Sequence, residues 1–195
     1  MWILASASPR RQELLSSLMK SFEVIASNCD EIIDPSWPVQ TVAQNIACQK
    51  SLHISNLHPK AFVLGADTIV RLDNTILGKP KDYNHAQNML ELLSDKNHIV
   101  ETGVCISQGN QIIHQFTEQT EVFFKSLSLI EIQNYIDTKE PFGKAGSYAI
   151  QGQGAFLVRK INGCFNNVVG LPIFTLKEIL RTEDYEPNKK SQSLG

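Results

Sequence analysis

The sequence lacks the features that would indicate nucleic-acid binding, a zinc site or a membrane span. Its 18 lysines and arginines face 20 aspartates and glutamates, so there is no basic excess of the kind nucleic-acid-binding domains show. The four cysteines form no C-x-x-C pair, which argues against zinc and favours reduced thiols in a cytoplasm. No apolar run approaches the ~20 residues that cross a bilayer, and the segment MWILASAS lacks the pattern of a secretory signal.

What is present indicates an α/β fold with a mixed sheet. Apolar runs predict strands at 2–5, 22–26, 62–70, 75–77, 99–107, 111–124 and 156–161. Turn residues between the third and fourth runs, and between the fifth and sixth, predict two hairpins. Capped, periodic segments predict helices at 9–18, 39–54, 83–93, 129–136 and 172–181. The chain is long enough for one domain with two lobes over 1–182, followed by a polar tail at 183–195.

The junction between the first strand and the first helix, LASASPRRQELL at 4–15, is the first candidate site. Ser8 is the expected N-cap and Pro9 the first helical residue. Arg10 and Arg11 then occupy a helix end that already carries partial positive charge. A bound phosphate group would explain them, and Ser6 would add a hydroxyl donor. The alternative is a capped surface helix with solvated arginines, and the Walker A spacing is absent.

A second set of candidates consists of charged side chains in apolar surroundings. Asp67 interrupts the strand FVLGADTIV, which is costly unless backbone N–H groups, a cation or a metal satisfies it. Glu31 follows the second strand and either shares Mg²⁺ with Asp67 or lies in a solvated acidic loop. Lys50 is in register with the apolar face of its helix, where the rim of the protein is the favoured position and a cleft the alternative. The hairpin returns Lys79 toward residues 67–68, in a register that the sequence leaves ambiguous.

A third candidate is the glycine-studded segment GKAGSYAIQGQGA at 143–155. Glycines let a backbone approach a ligand closely, although the same composition fits a mobile turn equally well. The amide of Gln151 can both donate and accept hydrogen bonds with a base edge, and Lys144 can contact a phosphate.

The chain carries the motifs SASPRR, GADT, GKP, KAGSYAIQG and NVVGLP, together with Glu31 and Lys50. These motifs occur in the order found in the Maf-like nucleotide pyrophosphatases, and the sequence resembles that family from residue 3 to about 180. The resemblance implies an elongated, curved mixed sheet with flanking helices and a cleft between two lobes. It also implies hydrolysis of a nucleoside triphosphate to the monophosphate and pyrophosphate, a divalent cation, and a homodimer. Mg²⁺ is the expected ion, with Mn²⁺ and Co²⁺ as alternatives, since oxygen ligands discriminate weakly among them.

The resemblance also implies roles for individual residues. Asp67 matches the proton acceptor, and Asp67 with Glu31 matches the metal-associated acids. The phosphate-facing set is Ser6, Arg11, Lys50 and Lys79.

Arg10, Thr68 and Gln151 stand as in the branch of the family that cleaves dTTP and UTP, whereas the branch acting on 7-methyl-GTP has an aromatic residue, a glutamine and a glutamate there. The resemblance therefore implies a house-cleaning pyrophosphatase for pyrimidine nucleotides. The alternatives are a nucleotide-binding regulator of cell division or septum formation without turnover, and the same reaction on a modified purine nucleotide.

Overall fold

The computed structural model describes residues 1–182, and the polar tail expected at 183–195 lies outside the described residues. The described strands are β1 (Trp2–Leu4), β2 (Glu23–Val24), β3 (Phe62–Leu72), β4 (Thr75–Leu77), β5 (Asn97–Gln108), β6 (Gln111–Phe124) and β7 (Val158–Asn162). The described α-helices are α1 (Pro9–Ser16), α2 (Val42–Leu57), α3 (Tyr83–Leu93), α4 (Leu129–Asp137), α5 (Phe165–Val169) and α6 (Ile173–Thr182).

The seven strands form one mixed sheet in the order β2-β1-β3-β5-β6-β7, with β4 paired to β3. β1 runs parallel to β2 and β3, whereas β3, β5, β6 and β7 pair antiparallel with their neighbours. The expected α/β fold with a mixed sheet and flanking helices is therefore confirmed.

One edge of β3 is interrupted. On that edge β1 pairs with residues 62–64 and β4 pairs with residues 70–72, whereas β5 pairs continuously with residues 63–71 on the other edge. Within residues 1–182, the stretch 65–69 therefore has no strand partner on the first edge. This gap opens the sheet at the position of Asp67 and Thr68.

The two largest hydrophobic clusters lie on either side of the gap. β3 contributes Leu64 and Ala66 to a cluster with β1, α1 and α6, and it contributes Val70 to a cluster with α3 and α4. Because Asp67 and Thr68 fall between the two clusters, the polar residues occupy the boundary between two lobes. The lobes expected from the sequence thus correspond to two cores joined by continuous strands.

Two glycines bring α2 directly onto the sheet. A Cβ atom at Gly65 would lie 2.3 Å from the carbonyl oxygen of Ala47, and one at Gly103 would lie 2.3 Å from the backbone nitrogen of Gln44. The absence of side chains at these two positions allows the close approach. The short distance between α2 and the sheet brings side chains on α2, including that of Lys50, close to β3.

Most predicted elements are present, and the expected N-cap Ser8 is confirmed. The side chains of Ser8, Asp82 and Ser128 accept hydrogen bonds from the first turns of α1, α3 and α4. The strand predicted at 22–26 shortens to two residues, and the helix predicted at 39–54 begins at Val42 and continues to Leu57. The strand predicted from 156 begins at Val158, because a 3₁₀ turn occupies the preceding residues. None of the helices in the described part of the chain combines the length and apolar character needed to cross a membrane.

Candidate active site

A cleft of about 780 Å³ opens at the gap in β3. It is lined by eight of the nine site residues predicted from the sequence, which are Ser6, Arg10, Arg11, Glu31, Lys50, Asp67, Thr68 and Lys79. The ninth, Gln151, lines a small adjoining hollow that shares Arg10 and Tyr148 with the cleft. Residues from the first strand–helix junction, α2, β3 and the hairpin therefore meet in one place.

Lys50 joins two carboxylates within the cleft. Its Nζ lies 2.6 Å from Oδ1 of Asp67 and 2.8 Å from Oε1 of Glu31. The side chains of Lys50 and Asp67 are 12% and 13% exposed, so the expectation that Lys50 reaches the rim is wrong. The physical reason is the close seating of α2 on Gly65 and Gly103, which directs the lysine onto Asp67.

The prediction of a solvated acidic loop around Glu31 is confirmed only in part. Its side chain is 49% exposed, yet it pairs with Lys50. Burial raises the pKa of Glu31, but the hydrogen bond from Lys50 and the charges of Lys50, Lys79 and Arg11 outweigh that effect. The pKa of Glu31 is therefore lowered, and the group is a carboxylate at neutral pH.

Gln49 fixes the backbone beside Glu31. Its Nε2 donates to the carbonyl oxygen of Ile32 at 2.7 Å, and its Oε1 accepts from the N–H of Ile32 at 3.1 Å. This reciprocal pair ties the acidic loop to α2 next to Lys50. Sequence reasoning missed Gln49, since a glutamine in a helix has no pattern that marks such a contact.

Arg11 enters the cleft from the N-terminus of α1 and is held by three hydrogen bonds. Its Nε donates to the carbonyl oxygen of Gly170 at 2.9 Å, and its two terminal nitrogens donate to Thr68 Oγ1 at 2.9 Å and to Ser6 Oγ at 3.4 Å. Burial lowers the pKa of Arg11, with Asp67 opposing the change, and a guanidinium remains charged at neutral pH in any case. The alternative in which this arginine is solvated is therefore wrong.

A hydroxyl and amide network supports Arg11 from behind. Thr68 Oγ1 lies 2.9 Å from Thr102 Oγ1, which donates to the carbonyl oxygen of Asn167 at 3.0 Å. The side-chain amide of Asn167 donates to the carbonyl oxygen of Val100 and to Thr120 Oγ1, so it joins α5 to β5 and β6. Helix α5, which was not predicted, thus positions the groups that hold Arg11.

Neighbouring residues of β3 face opposite sides of the sheet. Asp67 pairs with Gly103, which α2 covers, and Thr68 pairs with Thr102, which contacts α5. The cleft therefore wraps around the open edge of β3. An anion lying across this edge meets Lys50 on one side and Arg11 on the other.

The three predicted selectivity residues are divided between two places. Arg10 and Gln151 line the small hollow, together with apolar groups of Tyr148, Ile150 and Val168. Thr68 instead binds Arg11 in the main cleft. Gln151 is exposed, so its amide is open to a ligand.

Lys79 and Lys144 add positive charge at the mouth of the cleft. Lys79 is exposed and follows β4, whose register pairs Leu77 with Val70. The observed pairing ends there, and beyond it Lys79 lines the same cleft as Asp67 and Thr68. Lys144 donates to the carbonyl oxygen of Glu140, and burial with the nearby charge of Arg10 lowers its pKa.

The donor set fits a divalent cation held jointly with phosphate oxygens. The carboxylates of Asp67 and Glu31 converge on one ammonium group, so they lie close enough to share an ion. Mg²⁺ is commonly held by one or two carboxylates plus substrate phosphates. Residues 1–182 contain no group of three or more His, Cys, Asp or Glu side chains arranged for a metal.

Comparison with known proteins gives a consistent result along the whole described chain. The family model described as "Maf-like protein" matches residues 1–183. Proteins named "dTTP/UTP pyrophosphatase" are similar: that of Bacillus pumilus is 49% identical over 95% of this chain and 97% of its own length, and that of Caldicellulosiruptor saccharolyticus is 45% identical over 94% and 95%. A solved structure of a HAM1 protein from Coxiella burnetii is 15% identical, with a TM-score of 0.46 over 63% of this chain and 72% of that one.

Proposed function

The chain belongs to the family of Maf-like proteins, and we propose that it hydrolyses dTTP and UTP to the corresponding monophosphate and pyrophosphate. One observation carries the proposal: Arg11, Lys50, Lys79 and Asp67, from four separate segments, converge on the open edge of β3. The names of its relatives support the choice of substrate.

The triphosphate lies across the edge of β3 in this proposal. Arg11 and the N-terminus of α1 face it from one side, Lys50 faces it from the other, and Lys79 adds a further positive charge. Phosphoryl chemistry depends mainly on positioning and on cations that offset developing charge. Arg11 and Lys50 are already held in the cleft by hydrogen bonds and ion pairs, so little reorganisation of these two side chains is needed when the substrate binds.

Asp67 accepts a proton from the attacking water. A positioned general base contributes about 10²–10⁴-fold to a rate. The ion pair with Lys50 orients the carboxylate, and the gap beside β3 gives a water molecule room to reach it. The attack occurs at the α-phosphorus, and pyrophosphate leaves.

Asp67 and Glu31 would hold the divalent cation, with Mg²⁺ expected and Mn²⁺ or Co²⁺ as alternatives. When bound, the ion would offset negative charge on the phosphates and on the departing pyrophosphate. Lys50, which pairs with both carboxylates, supplies a further positive charge beside the phosphates.

Gln151 and Arg10 select the base. Uracil and thymine present carbonyl, N–H and carbonyl groups along one edge, and a glutamine amide offers both a donor and an acceptor to match them. A site that hydrogen-bonds a ligand in this way rejects bases that leave its groups unpaired. Tyr148, Ile150 and Val168 line both the hollow and the larger cleft, so a pyrimidine bound there would pack against these side chains.

We further propose a cytoplasmic location and a homodimer. All four cysteines are free, which suits a reducing compartment. The homodimer follows only from the family resemblance.

The proposal is tested by measuring pyrophosphate release from dTTP, UTP, CTP, GTP and ATP in the presence of Mg²⁺. We expect dTTP and UTP to be cleaved with the highest kcat/KM. Tight binding of dTTP without release of pyrophosphate would favour a regulatory protein instead, and a preference for purines would overturn the assignment of Gln151.

A further inference from the structure

The segment that carries Gln151 is irregular, yet its backbone is anchored at several points. Gln151 precedes a 3₁₀ turn over Gly152–Leu157. Glu140, which follows the end of α4, accepts a hydrogen bond from the N–H of Gln153 at 3.2 Å with one carboxylate oxygen. It accepts another from the N–H of Gly154 at 2.7 Å with the other oxygen. A single carboxylate therefore binds the N–H groups of the second and third residues of the turn.

A buried tyrosine holds the other side of the segment. The hydroxyl oxygen of Tyr135 accepts from the N–H of Ala149 at 3.1 Å, and Tyr135 is only 2% exposed. Burial raises the pKa of this hydroxyl, and the adjacent Glu140 contributes to the same change. Tyr135 and Glu140 thus hydrogen-bond to the backbone on both sides of Gln151.

Two glycines leave the space that these hydrogen bonds require. A Cβ atom at Gly154 would lie 2.5 Å from the hydroxyl oxygen of Tyr135. Gly152 has φ +72°, in the left-handed region, and a Cβ atom there would lie 2.2 Å from Oε1 of Glu140. The glycine pattern at 152–154 therefore serves the contact with α4 and Glu140.

The backbone of Glu140 is itself fixed. Its N–H donates to Thr138 Oγ1 at 3.1 Å, and its carbonyl oxygen accepts from Nζ of Lys144. Because Lys144 lines the cleft, Glu140 connects the cleft mouth with the segment that carries Gln151.

We infer that Glu140 is a positioning residue for base selection: by binding the N–H groups of Gln153 and Gly154 it fixes the segment from which Gln151 reads the base. This inference rests on the proposed function. Glu140 lies outside both hollows and has no place in the phosphate chemistry. Its loss should therefore reduce discrimination between bases more than it reduces the rate with a good substrate.

The test compares Glu140→Gln with Glu131→Gln. Glu131 is a matched control, because it also accepts backbone and side-chain hydrogen bonds at an end of α4, in the capping box with Ser128, but it does not contact the segment of Gln151. The readouts are kcat/KM for UTP and for CTP, and amide hydrogen exchange at Gln153 and Gly154. A displacement of about 1 Å can cost on the order of a hundredfold, so we expect the UTP-to-CTP ratio to fall by about tenfold to a hundredfold in Glu140→Gln. Exchange at both amides should accelerate, and Glu131→Gln should change neither quantity.

Gly152→Ala is the second variant. Its added methyl group would clash with the Glu140 carboxylate, so the variant should also lower the UTP-to-CTP ratio. An unchanged ratio in both variants would overturn the inference, as would unchanged exchange at Gln153 and Gly154 in Glu140→Gln, whatever the enzymatic activity. A wild-type chain that releases no pyrophosphate would instead contradict the proposed function.

Discussion

The phosphate half and the base half of the site are built in different ways. Asp67, Lys50 and Arg11 stand on β3, α2 and α1, and their positions follow from regular backbone and from contacts between elements. Gln151 stands on a segment without regular structure, which a few side-chain hydrogen bonds hold in place. Functional groups on regular elements are held more precisely than groups on loops. Under the proposed assignment, chemistry and base selection therefore rest on different structural elements.

The two halves also differ in charge. In the phosphate half, ionised groups compensate one another within the cleft, as Lys50 does for two carboxylates. In the base half, Arg10 and Gln151 lie beside Tyr148, Ile150 and Val168, and no carboxylate lines the hollow within the described residues. We therefore expect mutations in the first half to change turnover and those in the second to change preference.

The largest effect is expected for Asp67→Asn. An amide cannot take the proton from water, so kcat should fall by about 10²–10⁴-fold while the protein still folds, because the amide occupies the same volume. Steady-state kinetics with dTTP and a thermal unfolding curve check both parts. A variant that retains near-normal turnover would show that Asp67 is not the base.

Acidification should lower the free energy of unfolding mainly through a buried histidine in the core next to the base half. His98 packs against Phe124 and Tyr148 in the core behind the base half, and burial lowers its pKa to about 4 from an ordinary value of 6.5. Between these two values the unfolded chain binds a proton that the folded chain does not, so the free energy of unfolding falls as the pH falls through this window. The loss reaches at most about 3 kcal/mol.

The contribution of Glu31, in the phosphate half, to the free energy of unfolding should change less with pH over most of that window. The pKa of Glu31 is lowered from 4.5, so its contribution is lost only below its unfolded value. Denaturant unfolding of wild type and of His98→Gln at about pH 7 and about pH 5 measures the difference. The variant should have the smaller change with pH, and an equal change in both proteins would contradict the role of His98.

Gln151→Glu should alter the preference of the base half with a smaller effect on its best reaction. A carboxylate only accepts hydrogen bonds, so it loses the donor that a uracil or thymine carbonyl needs. We expect the ratio of kcat/KM for UTP to that for GTP to fall by about tenfold, the equivalent of about 1.4 kcal/mol. A substrate profile identical to that of the wild type would remove Gln151 from base recognition.

The smallest effect is expected for Gln49→Ala, which cuts the tie between the acidic loop and α2. Glu31 should lose its fixed position beside Lys50, and kcat/KM should fall by a few-fold, in line with the ~1 kcal/mol of a typical hydrogen bond. Measuring the Mg²⁺ dependence distinguishes this role, since the half-saturating Mg²⁺ concentration should rise. Gln87→Ala, which removes a hydrogen bond to Glu91 on the exposed face of α3, is the control and should leave it unchanged.

The phosphate half was more accessible from the sequence than the base half. Asp67 stood out as an acid in an apolar strand, and Arg11 as a cation at a helix start, so local patterns made them candidates and the family resemblance assigned their roles. For Lys50 the helical pattern favoured the rim, whereas the resemblance implied the phosphate-facing position, because the outcome depends on how closely two distant glycines let α2 approach the sheet. The gap in β3 depends on the register of β1 and β4, which no local pattern specifies.

The support of the base half was invisible in the sequence. Glu140 and Tyr135 are separated from Gln151 by 11 and 16 positions, and their hydrogen bonds go to backbone N–H groups, which carry no residue signature. Helix α5 was missed for a related reason: with 5 residues it is too short to show periodicity, and its position rests on the buried amide of Asn167.

The central claim is that the open edge of β3 presents the α-phosphorus of the substrate to a water molecule that Asp67 activates. Hydrolysis of dTTP in water labelled with heavy oxygen, followed by mass analysis of both products, tests it most directly. The account predicts that one labelled oxygen appears in dTMP and none in pyrophosphate. Label in pyrophosphate, or formation of dTDP and inorganic phosphate, would contradict it.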